Sequence, residues 1–545
     1  MQQSALSRDG WGSRREVTNT DALRGASALH PERTFVDFSG EQTSYEEFHR
    51  RAAQLANGLR GHGVKAGHTV ATLLDNNLDQ ALAWFAINMA GAIAVPLNTA
   101  LRGEFLRHQL SDSEAQVVIS EGDYVDRLTS VTTGLPALRL VVHRGDLPPG
   151  LRLAGVTLTP IEHVRCGDDT DRGVQATPSD VSMLIYTSGT TGPSKACMIS
   201  HSYAANLAGQ VTAASTRRPD EVLWTPLPLF HLNAAAGSLL STAMLQGSVS
   251  IARRFSLSGF WPEIERSGAS MVSMLGVMVP LIAQMPDTPE MARCRGQLRI
   301  ALGAPFPGEL AEVWRDRFGV ERAGAPGYGS TEAAMIVSAP LRPDPTPGAS
   351  GRLNGDFDVR IFDEDDHEVP AGEVGEVVCR PLRPHVMFDG YWKRPEATLA
   401  VLGNQWFHTG DLGRFDGDGN FHFVDRKKDY LRRGSENISS TELEATFLLH
   451  PDVAEVAVHA VPSELSEDEV KVTVVRTAEG SVTEQELCAW SVDKVPYFAV
   501  PRYVEFRTSL PRNPVGRVLK FQLRDEGVTS GTWDRSSSDL VVDRR

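Results

Sequence analysis

The sequence predicts an α/β protein of at least two domains, a large N-terminal part followed by a small α+β domain. Three observations predict it. The chain has 545 residues, more than one compact core sustains. Between Ser44 and Pro96 helix-like and strand-like segments alternate, the pattern of a parallel sheet. Beyond Asp425 the texture changes to a charged run, DRKKDYLRR, and then to short helices and strands.

SYEEFHRRAAQLANG, Ser44 to Gly58, spaces Phe48, Ala52 and Leu55 on one helical face. Val70–Leu74 reads as a buried strand, Leu78–Gly91 as a second helix and Ala92–Pro96 as a second strand. The apolar run Ala81–Leu97 contains Asn88 and Gly91 and meets Pro96. A buried helix leading into a strand therefore explains it better than a membrane span. After Asp180, VSMLIYTSG carries a strand straight into a polar loop. Between Asn354 and Arg380, DFDVRIFDEDD and GEVGEVVCR read as short strands joined by acidic and glycine turns. In the small domain, Ser439 followed by Glu442 predicts a helix start, as does Thr483 followed by Glu486. Strands are expected at Val453–Val458, Lys471–Val475 and Tyr503–Phe506. The Ser/Asp/Arg-rich segment 526–545 is expected to be disordered.

Composition narrows the function. Apolar residues make up 41%, charged residues 23%, and the formal charge is −15. So acidic a chain is a poor nucleic-acid binder, because that binding rests on Lys and Arg neutralising phosphates. The five cysteines are widely spaced with no C-x-x-C pair. They suggest neither a disulfide framework nor a zinc site, and fit a reducing cytoplasm. The start, MQQSALSRDGWGSRRE, has no apolar core of the secretory kind.

The segment YTSGTTGPSK, Tyr186 to Lys195, has the parts that a phosphate chain needs. Gly189 and Gly192 let backbone N–H groups approach closely. Thr187, Ser188, Thr190 and Thr191 offer hydroxyls and Lys195 a positive charge. The spacing is not that of the common P-loop, and taken alone the run also reads as a flexible polar loop.

YTSGTTGPSK resembles the phosphate-loop signature of the adenylate-forming superfamily, which includes acyl-CoA synthetases, peptide-synthetase adenylation domains and luciferases. Further segments resemble that family's motifs in its order: LPLFH (Leu227–His231), LGAP (Leu302–Pro305), GYGSTE (Gly327–Glu332), WFHTGD (Trp406–Asp411), DRKKDYLRRGSENISSTELE (Asp425–Glu444) and PRNPVGRVLK (Pro511–Lys520). The resemblance covers roughly residues 30 to 525 and is strongest to ligases of the crotonobetaine/carnitine-CoA type. It implies a domain over 1–425 with parallel-sheet α/β subdomains and a small β-barrel-like subdomain. A hinge over 426–430 and a mobile α+β lid over 431–525 would follow.

The implied reaction joins a carboxylic acid to ATP as an acyl-adenylate, releases pyrophosphate, and passes the acyl group to CoA. By resemblance, Glu332 holds magnesium and Thr331 contacts phosphate. Gly303, Ala304, Pro305, Tyr328 and Gly329 form the adenine site, and Asp411 and Arg426 hold the ribose. Lys428 sits at the hinge, and Gly434, Ser435 and Glu436 line the pantetheine tunnel. His231 borders the carboxylate, with Asn233, Met274, Gly276, Val277 and Ala304 in an apolar acyl pocket with a few polar handles. The partners expected are thus a small carboxylic acid, ATP, Mg2+ and CoA, with neither nucleic acid nor a membrane span; a homodimer is compatible.

Three positions depart from the family pattern. Ala196 stands where a glycine is usual after the phosphate-loop lysine, and Ser435 replaces the second of two glycines. Arg517 stands where the last motif has its adenylation lysine, and Lys520 lies three residues on. A planar guanidinium and a compact ammonium are not equivalent. Either cation could serve, with Lys520 slightly favoured by the resemblance to the carnitine-type ligases. Two other functions stay open: an enzyme that loads a carrier protein, and a non-catalytic adenylate binder.

Overall fold

Two seven-stranded sheets, parallel except for one antiparallel edge each, form the scaffold of the large domain. The computed structural model describes residues 17–165, 167–173, 176–187, 193–304, 306–339, 349–426, 431–433, 436–463, 468–512 and 518–542. The first sheet runs, edge to edge, Thr157–Pro160, Leu140–Arg144, Val117–Glu121, Thr69–Leu73, Ile93–Pro96, Val181–Thr187, Lys195–Ser200. The second runs Arg322–Gly324, Ile300–Ala304, Met271–Leu275, Val222–Thr225, Ser248–Ile251, Thr34–Phe38, Glu41–Ser44.

The alternation read at residues 44–96 is the helix–strand–helix–strand order of this domain. Tyr45–Gly61 is a helix whose N-cap Ser44 accepts the Glu47 N–H. Leu78–Met89 is capped by Asn77 and buried along nearly its whole length, because it lies between the sheet and its neighbours. That burial accounts for the long apolar run. Among the described residues no helix is long and apolar enough to cross a membrane.

The acidic, glycine-rich region supplies Phe357–Phe362 and Gly375–Pro381, two strands of a four-stranded antiparallel sheet completed by Phe407–Phe415 and Phe421–Arg426. The small domain follows. A two-stranded ribbon, Leu431–Arg433 with Glu436–Ile438, leads into the helix Ser440–Phe447. A four-stranded sheet then takes Val453–Pro462, Asp468–Arg476, Tyr503–Arg507 and Trp533–Asp534. Ser439 caps the first helix by accepting the Glu442 N–H, and Thr483 with Glu486 forms a full capping box on the helix Glu484–Ser491.

The segment expected to be disordered is not so over 528–542. Trp533 and Asp534 pair with Val504 and Tyr503 as the last strand of the small sheet. Thr529 and Thr532 donate to Glu505 Oε2 at 3.0 and 2.7 Å. Composition suggested too little apolar surface for a core of its own. The segment is held instead by strand pairing and hydrogen bonds on a core already built, with Trp533, Leu540 and Val542 packed against it.

Candidate active site

The phosphate-loop segment is a strand–loop–strand hairpin. Its flanks pair in register, Thr187 opposite Lys195 and Tyr186 opposite Ala196. The expected phosphate ligands Ser188, Gly189, Thr190, Thr191 and Gly192 lie outside the described residues, as do Pro305, Lys428, Gly434, Ser435 and Arg517. At Ala196 the side chain is fully buried beside the hairpin partner.

Around the loop's two ends the structure gathers a compact polar centre. Thr187 Oγ1 donates to Glu332 Oε1 at 3.2 Å, and Tyr391 OH donates to the same oxygen at 3.0 Å. Lys195 Nζ lies 5.1 Å from the centre of the Tyr391 ring, within range of a cation–π attraction. Cys197 Sγ is 3.8 Å from Thr187 Oγ1. Burial, and then the nearby Glu332 carboxylate, push that thiol well above its ordinary value, so it stays protonated.

Glu332 sits in the turn of a tight hairpin, Gly327–Ser330 against Ala334–Ser338. A Cβ on Gly329 would lie 1.6 Å from the Ala334 carbonyl oxygen, so only glycine lets the turn close. The Thr331 carbonyl accepts the Tyr203 hydroxyl at 2.7 Å, fixing the turn from below.

A divalent cation fits this centre by its donor chemistry. Magnesium takes one or two carboxylates and keeps waters and substrate phosphates as its other ligands. Glu332 offers one carboxylate beside a phosphate-loop hydroxyl. Among the described residues no group of three His, Cys, Asp or Glu forms an all-protein cage.

A second cluster lies on the neighbouring strands. Tyr328 OH donates to Asp411 Oδ2 at 2.7 Å. The Tyr328 ring is 5.0 Å from Phe421 and 5.7 Å from Phe423, both tilted. The residue assigned to the adenine face and the residue assigned to the ribose are therefore in direct contact. Asp411 pairs across the sheet with Arg426, which puts the two expected ribose residues at one register position. Gly303 and Ala304 end the strand Ile300–Ala304, beside the strand that carries Met274. A Cβ on Gly303 would come within 2.9 Å of Val279. The Gly276 N–H donates to the Ala304 carbonyl at 3.2 Å, which brings Met274, Gly276 and Ala304 together at the ends of neighbouring strands.

The third cluster joins the two domains. His231 Nε2 lies 3.1 Å from Glu436 Oε1 of the small domain. Burial favours the neutral ring, but the charge and hydrogen bond of Glu436 outweigh it and hold the imidazole above its ordinary value. A second bond joins the domains: the Ser194 N–H donates to Glu442 Oε1 at 2.7 Å. That carboxyl is raised by burial. Phe230, Val277, Met278 and Glu436 line a cleft of about 1760 Å3 between the domains.

Lys520 is not brought to Glu332 or Thr187. It stands at the first position of the helix Lys520–Glu526, where its Nζ pairs with Glu444 Oε1 at 2.6 Å and donates to Ser440 Oγ at 2.9 Å. Sequence reading also missed Tyr391 and Glu442. Tyr391 sits in a loop with no periodicity, 59 residues from the carboxylate it contacts. Glu442 reads locally as a capping residue, and its side chain turns instead to the other domain.

Comparisons with known proteins bear on this geometry. The AMP-binding enzyme family matches residues 23–392, and the AMP-binding enzyme C-terminal domain matches 442–517. A feruloyl-CoA synthase of Amycolatopsis sp is 34% identical over 499 residues, 91% of this chain and 96% of that one. A crotonobetaine/carnitine–CoA ligase of Salmonella arizonae is 28% identical over 494 residues, 88% of this chain and 93% of that one. The fold is similar to a double mutant of o-succinylbenzoate CoA synthetase from Bacillus subtilis, bound with its product analogue. The TM-score is 0.79 at 25% identity, covering 94% of this chain and 99% of that one.

Proposed function

The chain belongs to the AMP-binding enzyme family and is an AMP-forming acyl-CoA synthetase, and from that premise we propose how its residues divide the reaction and which acid it takes. Adenylation forms a bond between a carboxylate oxygen and the α-phosphorus of ATP and breaks the bond to pyrophosphate. Charge moves between phosphate oxygens throughout, so positioning and preset charge carry the step. Lys195, Thr187 and the hydroxyls of the 188–192 loop hold the phosphates. Glu332, fixed by Thr187 and Tyr391, holds magnesium, which when bound offsets phosphate charge. Asp411 accepts the ribose hydroxyls, and the Tyr328 ring lies along the adenine.

The thioester step is a thiolate attack on the acyl carbon with AMP leaving. The His231–Glu436 contact is the observation that carries this assignment. It sets a small-domain carboxylate against the expected acyl-pocket histidine at the wall of a cleft that does not include Glu332 or Asp411. In this arrangement Lys520 is held within the small domain by Glu444 and Ser440. That pairing shifts the adenylation role towards Arg517, delivered when the small domain turns about the hinge near Lys428.

For the acid, the likeness to a feruloyl-CoA synthase supports a substituted arylpropenoic acid, ahead of a carnitine-like one. The buried Met274 and the neighbouring Val277 and Phe230 suit an apolar ring. The test is acyl-CoA formation, followed by mass spectrometry, from purified protein with Mg-ATP, CoA and panels of arylpropenoic, benzoic, aliphatic and carnitine-like acids. A product from the arylpropenoic panel alone supports the reading. Product from another class only overturns the acid assignment. Pyrophosphate release with no acyl-CoA from any acid would favour a carrier-loading enzyme.

A further inference from the structure

The C-terminal segment after the helix Lys520–Glu526 lies beyond both matched family regions, which end at 392 and 517. It nonetheless reaches the cleft between the domains. After Trp533–Asp534 joins the sheet, a single turn, Arg535–Ser537, follows, and Arg535, Ser536 and Ser538 line the cleft. The turn is firmly placed. The Arg535 N–H donates to the Arg502 carbonyl at 2.8 Å, Asp534 accepts the Ser536 N–H at 2.8 Å, and Ser538 Oγ donates to the Arg535 carbonyl at 2.8 Å.

The carboxylates beside this turn, Glu469 and Asp534, are taken up by other arginines. Glu469 is engaged by Arg433 Nε at 2.8 Å and by Arg502 Nη1 at 3.5 Å. Asp534 is engaged by Arg502 Nε at 3.4 Å. Among the described residues Arg535 enters no such pair, and its Nη1 is buried with no hydrogen-bond partner. The guanidinium thus carries a charge without a counter-ion at the cleft wall, and an anion bound in the cleft would supply one. The cleft, at about 1760 Å3, exceeds what a small acid requires, roughly 300–1,000 Å3. An extended ligand with anionic groups at one end would use that space.

We propose that Arg535, carried on the C-terminal extension, binds a phosphate of the nucleotide half of CoA and makes this chain selective for CoA over thiols that lack it. The proposal rests on the acyl-CoA synthetase reading. Arginine suits the role because its fork matches phosphate oxygens and its charge does not titrate. Arg433 and Arg502, also on the cleft wall, are already engaged by Glu469 and Asp534, which leaves Arg535 as the candidate phosphate partner at this turn.

The experiment compares KM for CoA, dephospho-CoA and pantetheine in the full chain, in Arg535→Ala and in Arg535→Lys. Arg535→Ala is expected to raise KM for CoA about tenfold or more and to leave pantetheine unchanged. Arg535→Lys is expected to recover part of the loss. If dephospho-CoA shares the loss, the contact is to the diphosphate; if it is spared, the contact is to the 3′-phosphate. A loss equal for CoA and pantetheine, as a general folding defect would give, overturns the proposal, and so does an unchanged CoA-to-pantetheine ratio. Failure of the unsubstituted chain to acylate any of the three thiols would instead remove the reading on which the proposal rests.

Discussion

His231 and Glu436, 205 residues apart in sequence, meet at 3.1 Å across the boundary between the large and small domains. The contact ties the end of LPLFH to the strand Glu436–Ile438 at the start of the small domain. The folded-state value of the imidazole is raised, so the charged pair is complete below the ordinary histidine value and is lost as pH rises through the raised value. We expect a donor–acceptor dye pair across the domains to report less of the closed arrangement as pH rises through that window. Glu436→Gln should flatten the transition. A transition that persists unchanged in that variant would assign it to another group.

Glu332 is held by two hydroxyls, those of Thr187 and Tyr391, and the ring of Tyr391 lies beside the phosphate-loop lysine. Glu332→Gln removes the charge that would bind magnesium, and should lower carboxylate-dependent pyrophosphate exchange by about a hundredfold or more. Tyr391→Phe removes one hydrogen bond to that carboxylate and should cost about three- to tenfold. Both losses should appear with a higher magnesium requirement. An exchange rate indifferent to Glu332→Gln would remove it from the metal site.

The two candidate adenylation cations should separate cleanly. Arg517→Ala is expected to abolish most pyrophosphate exchange while leaving the melting profile close to that of the parent. Lys520→Ala breaks the pair with Glu444 and the bond to Ser440, both partly buried. It should destabilise the small domain by about 1–2 kcal/mol and reduce exchange only modestly. The opposite pattern, exchange lost in Lys520→Ala with unchanged stability, would return the role to Lys520.

Lys471 is wholly buried and pairs with Glu505, which also accepts from Arg507 at 2.7 Å and from Thr529 and Thr532. Burial opposes ionisation, but the bonds from Lys471, Thr532 and Arg507 hold Glu505 down to about 2. The folded value is depressed, so this stabilisation is present above the ordinary glutamate range and disappears as pH falls towards that value. Glu505→Gln should cost roughly 3 kcal/mol, since it leaves a buried ammonium short of its counter-charge. It should also loosen the C-terminal extension. Calorimetry, with hydrogen exchange at Trp533, measures both; an unshifted transition would show the network to be dispensable.

The alternating elements from Ser44 to Pro96, the caps at Ser439 and Thr483, and the strand feeding Thr187 were legible in the sequence because each rests on local rules. Periodicity sets the buried face, a side-chain oxygen satisfies a helix N–H, and glycine permits a turn that a Cβ would block. The ordered motifs likewise marked Lys195, Glu332 and Asp411 as candidates before any geometry was known. The tertiary structure alone decided the contacts between distant segments. It brought Tyr391 to Glu332, Tyr328 to Asp411 and His231 to Glu436, and it paired Lys520 with Glu444. It also ordered residues 528–542, whose composition offers no core of its own. These outcomes depend on which surfaces and charges meet once the sheets are assembled. A burial cost or an ion pair is a property of that meeting and has no period or spacing in the chain.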